Sequence, residues 1–107
     1  MKPEVKKKWV EALRSGKYQQ GGGALRLGDR YCCLGVLAEE LGILEPWDLE
    51  DGSYACEGDR MGVPDTVLDS TTQSTLMHMN DGDDIDAPLD FKEIADWIEE
   101  NIDESQS

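Results

Sequence analysis

A basic, glycine-rich segment near the start of the chain carries the residues best suited to bind a small anion. Within fourteen residues it combines three cations, an aromatic ring, an amide and three consecutive glycines: Lys17, Tyr18, Gln20, Gly21, Gly22, Gly23, Arg26 and Arg30. Arginine binds phosphate oxygens bidentately, glycine amides approach an anion closely, and an aromatic ring stacks on a nucleobase. The segment therefore predicts a nucleotide or other phosphate site, with Trp47 as a second stacking ring. The alternative is a glycine-rich turn beside a solvated basic face, since no G-x-x-x-x-G-K-[ST] phosphate loop occurs.

The cysteines offer a second kind of chemistry. Cys33 lies at the start of a predicted helix, where the positive helix end stabilises a thiolate, and His78, the single histidine, is a candidate base with Asn80 or Asp81 to orient it. The competing interpretation places Cys33 on an apolar helical face as a small buried hydrophobe. A zinc site would combine Cys32, Cys33, Cys56 and His78, but adjacent cysteines lack the C-x-x-C spacing that zinc sites use.

Acidic residues suggest two further sites. A loop rich in aspartate supplies oxygen ligands of the kind calcium prefers, without the register of an EF-hand: Asp81, Asp83, Asp84 and Asp86. The last predicted helix carries a row of acids that could imitate nucleic-acid phosphates to a DNA-binding enzyme: Asp96, Glu99, Glu100 and Asp103. A solvated acidic surface is the alternative in both places. We therefore assign no metal and no cofactor from the sequence.

Charge is distributed unevenly along the 107 residues. Residues 1–30 carry a net charge of +5, residues 31–80 of −9 and residues 81–107 of −10, which gives −14 for the chain. The acidic part is expected to repel nucleic acid and anionic lipid, so we expect neither direct DNA binding nor membrane association. No apolar run approaches the ~18 residues of a membrane span, the N-terminus lacks the apolar core of a signal peptide, and three cysteines do not make a disulfide framework. These features predict a cytoplasmic protein with reduced thiols.

Hydrophobic spacing predicts the helices that position these residues. Tyr31–Gly42, YCCLGVLAEELG, is the only long apolar run and predicts a central helix that ends at Gly42, with Glu39 and Glu40 in water. A first helix is expected from Pro3 to Gly16, with Lys6 outside its apolar stripe. Three further helical segments are expected: a short one over 63–68, one over 70–79 opened by a Ser70/Gln73 capping box, and one from an Asp90/Glu93 capping box through Ile102.

Turn residues predict two hairpins. Gly28-Asp29 and Asp51-Gly52 each lie between strand-like segments, whereas 17–23 reads as a flexible turn and 43–47 as an apolar connection. The sequence therefore predicts an α+β fold: a single domain over 1–102, with about four helices packed on a short antiparallel sheet of hairpins, and a frayed acidic tail over 103–107. Leu37 and Ile98 are predicted to lie in its core.

Several spaced blocks resemble a family of small proteins of tailed bacteriophages and prophages. The blocks are LRSGKYQQG (13–21), YCCLGVL (31–37), Asn80-Asp81 and FKEIADWIE (91–99), and they occur in order over almost the whole chain. The aspartate-rich loop at 81–86 departs from the pattern. The resemblance implies a phage-encoded protein acting in the host bacterial cytoplasm. Small accessory phage proteins often bind host defence components or sequester their nucleotide signals.

Together these observations predict a non-catalytic binding protein that counters a host defence by capturing an anionic nucleotide signal, and a homo-oligomer is compatible with this prediction. In this hypothesis Lys17, Arg26 and Arg30 pair with phosphate, the glycines at 21–23 offer amides, and Tyr18 or Trp47 stacks on the base. One alternative is an acidic inhibitor of a host protein that mimics nucleic acid. The other is a thiol hydrolase or transferase that uses Cys33 and His78.

Overall fold

Two hairpins and one short parallel strand form a sheet, and four helices pack mainly against one another beside it. The computed structural model describes residues 1–22, 24–48, 50–56, 59, 61–82 and 88–102. Its elements are α1 (Pro3–Arg14), β1 (Gln19–Gln20), β2 (Arg26–Leu27), β3 (Arg30–Tyr31), α2 (Cys33–Leu41), β4 (Glu45–Asp48), β5 (Ser53–Ala55), α3 (Ser70–Asp81) and α4 (Phe91–Asn101). The predicted α+β class is confirmed. None of the described helices is long and apolar enough to cross a bilayer.

The sheet has the strand order β1-β3-β2-β5-β4. The hairpins β2–β3 and β4–β5 are antiparallel around the predicted turns, where Gly28 and Gly52 have φ of 63° and 75°. Antiparallel pairing of β2 with β5 joins the two hairpins. β4 occupies part of the predicted connection. The prediction of a flexible turn at 17–23 was wrong at β1, which pairs in parallel with β3 because Gly21 N–H donates to the Tyr31 carbonyl.

α2 is the central helix, as predicted, and it is buried on nearly every side. Leu34, Val36 and Ala38 are inaccessible to solvent and Leu37 is 1 % exposed. The helix begins after Cys32 and ends at Gly42, whose φ of 71° is the left-handed conformation that glycine adopts without strain. The predicted core position of Leu37 is therefore confirmed.

α1 and α4 pack against each other and close the other side of the core. Trp9 is fully buried and donates its indole N–H to the Cys33 carbonyl at 2.8 Å. The predicted core position of Ile98 in α4 is confirmed, and the predicted Asp90/Glu93 capping box is present. The predicted exposure of Lys6 was wrong. Its side chain is buried and its Nζ donates to the Glu99 carbonyl at 3.1 Å, because a cation is favourable at the C-terminal turn of α4.

The predicted Ser70/Gln73 capping box was also wrong. The N-cap of α3 is Asp69, which accepts from the Thr72 amide at 2.9 Å. Gln73 is buried instead and binds a neighbouring segment, since its amide donates to the carbonyls of Val63 and Leu68 and accepts from the Val63 amide. Residues 64–68 make one hydrogen-bonded turn rather than a helix.

Candidate functional site

Asn80, in the last turn of α3, joins three segments of the chain that are distant in sequence. Its side chain is 4 % exposed, and its Oδ1 accepts from the Cys33 amide and from Gln20 Nε2, both at 3.2 Å. Its Nδ2 donates to the Gly21 carbonyl at 2.8 Å and to Asp81 Oδ1 at 2.9 Å. One amide thus holds β1, the N-terminus of α2 and the end of α3 together.

An open cleft of about 580 Å³, with both polar and apolar lining residues, lies beside this amide. It is lined by Gln20, Gly21, Gly22, Asn80, Asp81, Pro88, Leu89 and Asp90. Three of the residues predicted to bind a ligand therefore lie here, while Gly23 falls outside the described residues. A side chain on Gly22 would lie 2.6 Å from Asp81 Oδ1, so a carboxylate already lies against the glycine segment. This charge disfavours the predicted role of the glycine amides as ligands for phosphate.

Arg26 lies in the middle of a row of side chains that crosses all five strands. The strand registers place Gln20, Tyr31, Arg26, Tyr54 and Pro46 side by side, and residues opposite each other project to the same face. The guanidinium carbon of Arg26 lies 4.0 Å from the ring centre of Tyr54 and 5.1 Å from that of Tyr31. Its Nε donates to the Gly28 carbonyl at 2.8 Å. Two rings and one carbonyl therefore fix its orientation.

The other predicted cations do not converge on Arg26. Arg30 is paired with Leu27 in the hairpin, which directs it to the opposite face of the sheet from Arg26. Lys17 Nζ lies 3.9 Å from a Glu40 oxygen, and this ion pair opposes binding of an anion. The prediction that Lys17, Arg26 and Arg30 share one phosphate therefore finds no support in this arrangement.

The two predicted stacking rings lie apart. Tyr18 packs edge-to-face on Tyr31, with ring centres 4.8 Å apart, and donates its hydroxyl to Glu40. Burial and then the bond to Glu40 raise the pKa of Tyr18. Glu40 is thus half-buried rather than in water. Trp47 is 53 % exposed on the edge strand β4, where an irregularity in the pairing separates Pro46 from Asp48.

Comparison with known proteins identifies the family of this chain. A family model described as a domain of unknown function, DUF8296, matches residues 1–69. The chain belongs to this family. No curated protein and no solved structure matches it. The DUF8296 match includes α1, the whole sheet and α2, and therefore Gln20 and Arg26. Asn80 and Asp81, which complete the cleft, follow the matched residues.

Two cysteines of the DUF8296 region are buried and lack the properties of a nucleophile. Cys33 is inaccessible and its Sγ lies 3.6 Å from the Leu76 carbonyl, and burial raises the pKa of its thiol well above the ordinary value. Cys32 is the N-cap of α2, and burial raises the pKa of its thiol to about 11. His78 is exposed on α3. A reactive thiolate at either cysteine is therefore disfavoured, and with it the thiol-enzyme hypothesis.

The described residues form no arrangement that supports the zinc or calcium hypothesis. Within the described part of the chain no three His, Cys, Asp or Glu side chains are grouped so that they could hold an ion. Of the four aspartates proposed for calcium, only Asp81 is described, because Asp83, Asp84 and Asp86 fall outside the described residues.

We expect the thiols of Cys32 and Cys33 to react slowly with Ellman's reagent in the folded protein. With a pKa of about 11 for Cys32, about one thiol in a thousand is ionised at pH 8. Because the folded pKa is raised, these groups favour folding below pH 9, and this contribution is lost as the pH rises through 11. Rapid labelling of both residues in native protein at pH 8, scored by mass spectrometry, would contradict this assignment.

Replacing Asn80 by alanine is expected to lower the free energy of unfolding by roughly 2–4 kcal/mol. The change leaves the buried Cys33 amide and the Gly21 carbonyl without their partner, and each unpaired buried group costs about 1–3 kcal/mol. Urea unfolding followed by circular dichroism measures the effect. Asn101→Ala is the matched control, because Asn101 is exposed and, among the described residues, donates only to the Trp97 carbonyl in its own helix. Equal losses in both variants would show that Asn80 does not join the three segments.

Proposed function

We propose that this protein is a non-catalytic binding protein that captures a small anionic ligand of the nucleotide class. Its phage-like sequence blocks support a role against a function of the host bacterium, and the favoured ligand is a nucleotide signal. One observation carries the binding proposal. The guanidinium of Arg26 is held between two tyrosine rings and has no acidic partner among the described residues.

Among the described residues neither Arg26 nor Arg30 has an acidic partner, although acids are abundant in this chain, and of these two arginines Arg26 is the one that packs against tyrosine rings. The sequence has 24 acidic and 10 basic residues. Arg14, by comparison, bonds Asp96 at 2.6 Å and Glu99 at 2.9 Å. Arg26 uses only Nε within the described part of the chain, so both of its Nη groups can donate to a ligand.

The rings of Tyr31 and Tyr54 hold the Arg26 guanidinium in place before a ligand binds. An arginine that is already held in place loses little rotamer freedom when it binds, so more of the interaction energy appears as affinity. A guanidinium binds two phosphate oxygens through parallel hydrogen bonds. Arg26 is therefore the assigned anion-binding residue, and Tyr31 and Tyr54 are the residues that position it.

The alternative, an acidic surface that imitates nucleic acid, has less support. Of the four acids in the predicted row, Asp96 and Glu99 are bonded to Arg14 across the α1–α4 contact, and Asp103 falls outside the described residues. A cation bound within the row interrupts the regular spacing of negative charge that a phosphate backbone presents. This alternative predicts strongly salt-dependent binding to a basic protein and no affinity for a small ligand.

Arg26→Ala is expected to abolish nucleotide binding, whereas Arg30→Ala is expected to retain it. The two residues have the same charge and lie on adjacent strands, but they project to opposite faces of the sheet. A thermal-shift screen with mono-, cyclic di- and cyclic trinucleotides identifies the ligand, and calorimetry compares the variants. A ligand at 100 times its dissociation constant stabilises the protein by about 2.7 kcal/mol. A flat screen with wild-type protein, or equal losses in both variants, would overturn the assignment.

A further inference from the structure

The cleft and Arg26 lie on the same face of the sheet. Gln20 on β1 and Arg26 on β2 flank Tyr31 on β3 in one cross-strand row. Neighbouring strands are spaced by about 4.8 Å, so the two residues stand about 10 Å apart across the sheet. A nucleotide whose phosphate lies on Arg26 can therefore extend its base along this face of the sheet towards the cleft.

Hydrogen bonds show which polar atom of Gln20 is already occupied and which remains available. The Cys33 backbone N–H identifies the Asn80 atom that it contacts as the oxygen, so the Gln20 atom on the same oxygen is a nitrogen. That nitrogen also donates to the Leu89 carbonyl at 2.7 Å. The carbonyl oxygen of Gln20 remains as an acceptor, with no donor to it among the described residues.

Asp81 adds a second acceptor on the same side. Its Oδ1 accepts from Asn80, and within the described ranges no donor lies on Oδ2. Gly22 makes this position possible, because a Cβ there would lie 2.6 Å from Oδ1. Asp90, on the cleft rim, likewise uses its Oδ1, which accepts from the Glu93 amide as the N-cap of α4. The cleft thus presents acceptors to its ligand, beside the apolar side chains of Pro88 and Leu89.

We infer that this cleft binds the guanine base of the captured nucleotide, an inference that rests on the function proposed above. Guanine carries its imino N–H and its amino group side by side, and such a pair of donors matches the oxygens of one carboxylate. Adenine places an acceptor nitrogen beside its amino group, and this nitrogen would face the carboxylate of Asp81. Asp81 is exposed and Gln20 is half-buried, so the discrimination rests on repulsion between the carboxylate and the adenine acceptor nitrogen rather than on unpaired buried groups.

Calorimetry with four probes tests the inference: guanosine, inosine and adenosine 5′-monophosphates, and ribose 5-phosphate. We expect the guanine nucleotide to bind at least tenfold more tightly than the adenine nucleotide, with inosine monophosphate between them. Asp81→Asn is expected to abolish this preference while binding of ribose 5-phosphate to Arg26 is retained. Asp65→Asn, which removes the same charge from an exposed loop position, is expected to keep the preference.

The outcomes separate the two proposals. Binding of the nucleotides without a preference for guanine, or a preference that Asp81→Asn leaves unchanged, overturns the cleft assignment and leaves Arg26 as an anion site. If both aspartate variants lose the preference for guanine, overall charge explains that preference and the cleft assignment is overturned. If none of the four probes binds and the cyclic nucleotides also fail, the proposed function falls and this inference falls with it.

Discussion

Replacing Gly35 by alanine is expected to prevent the domain from folding. An added Cβ would lie 1.7 Å from the Leu25 carbonyl oxygen and 2.6 Å from its carbonyl carbon. These are backbone atoms, and the same oxygen accepts the Cys32 amide at 3.1 Å, so relieving the clash means separating β2 from the start of α2. We expect a loss above about 4 kcal/mol, which is close to the whole stability of a marginal domain.

Gly16→Ala is the matched control for this substitution. Gly16 follows α1, has φ of 77° and has no atom within 4 Å of an added Cβ. Alanine there carries only the conformational cost of a left-handed residue, about 1 kcal/mol. Circular dichroism and urea unfolding compare the two variants. A folded Gly35→Ala protein as stable as the control would mean that α2 and β2 do not approach as closely as described.

Ending the chain after residue 69 is expected to give an unfolded polypeptide, although residues 1–69 are the part that the family model matches. The shortened chain keeps the sheet and α2 but loses α3 and α4. The buried face of α1, with Trp9 and Leu13, would then lose the helix that covers it. Loss of Asn80 would also leave the Cys33 amide unpaired. The remaining burial is too small to offset the conformational entropy of folding.

The test compares three chains by circular dichroism and amide NMR: 1–69, 1–102 and the full length. The 1–102 chain is the control, because it removes residues that follow α4 and keeps every described contact. We expect it to unfold with the same midpoint as the full chain. Cooperative unfolding of 1–69 would show that α3 and α4 form a separable addition to the DUF8296 region.

The sequence predicts elements that local signals define, and it fails where distant residues meet. α2 and α4 were predictable because their apolar spacing and the Gly42 and Asp90/Glu93 caps agree with one another. β1 was not, since two glutamines have no strand signal and their pairing depends on Tyr31 and Asn80. Asp69 and Ser70 are equally good N-cap types, and only the burial of Gln73 decides between them.

The same distinction holds for the candidate site. Gln20, Gly22 and Arg26 were identified from composition. Only the folded structure shows that Gln20 and Gly22 line the cleft and that Arg26 lies farther along the sheet. Tyr54, which holds Arg26, was missed because no local signal sets the register of β2 against β5. Asp81 was considered only as a calcium ligand or as an orienting group. Its place beside Gly22 depends on the long-range contact of Asn80.

The position of Arg26, without an acidic partner among the described residues of so acidic a chain, has a consequence for the kinetics and the choice of ligand. A net charge of −14 repels every anion before it reaches Arg26, and the repulsion grows with the charge of the ligand. The repulsion is small for a nucleotide with one or two charges, whereas an extended polyanion is repelled along its whole length. Added salt should therefore accelerate association, the opposite of the usual behaviour of basic phosphate-binding proteins. On the proposed function, the acidic surface would therefore favour a free nucleotide over RNA and DNA.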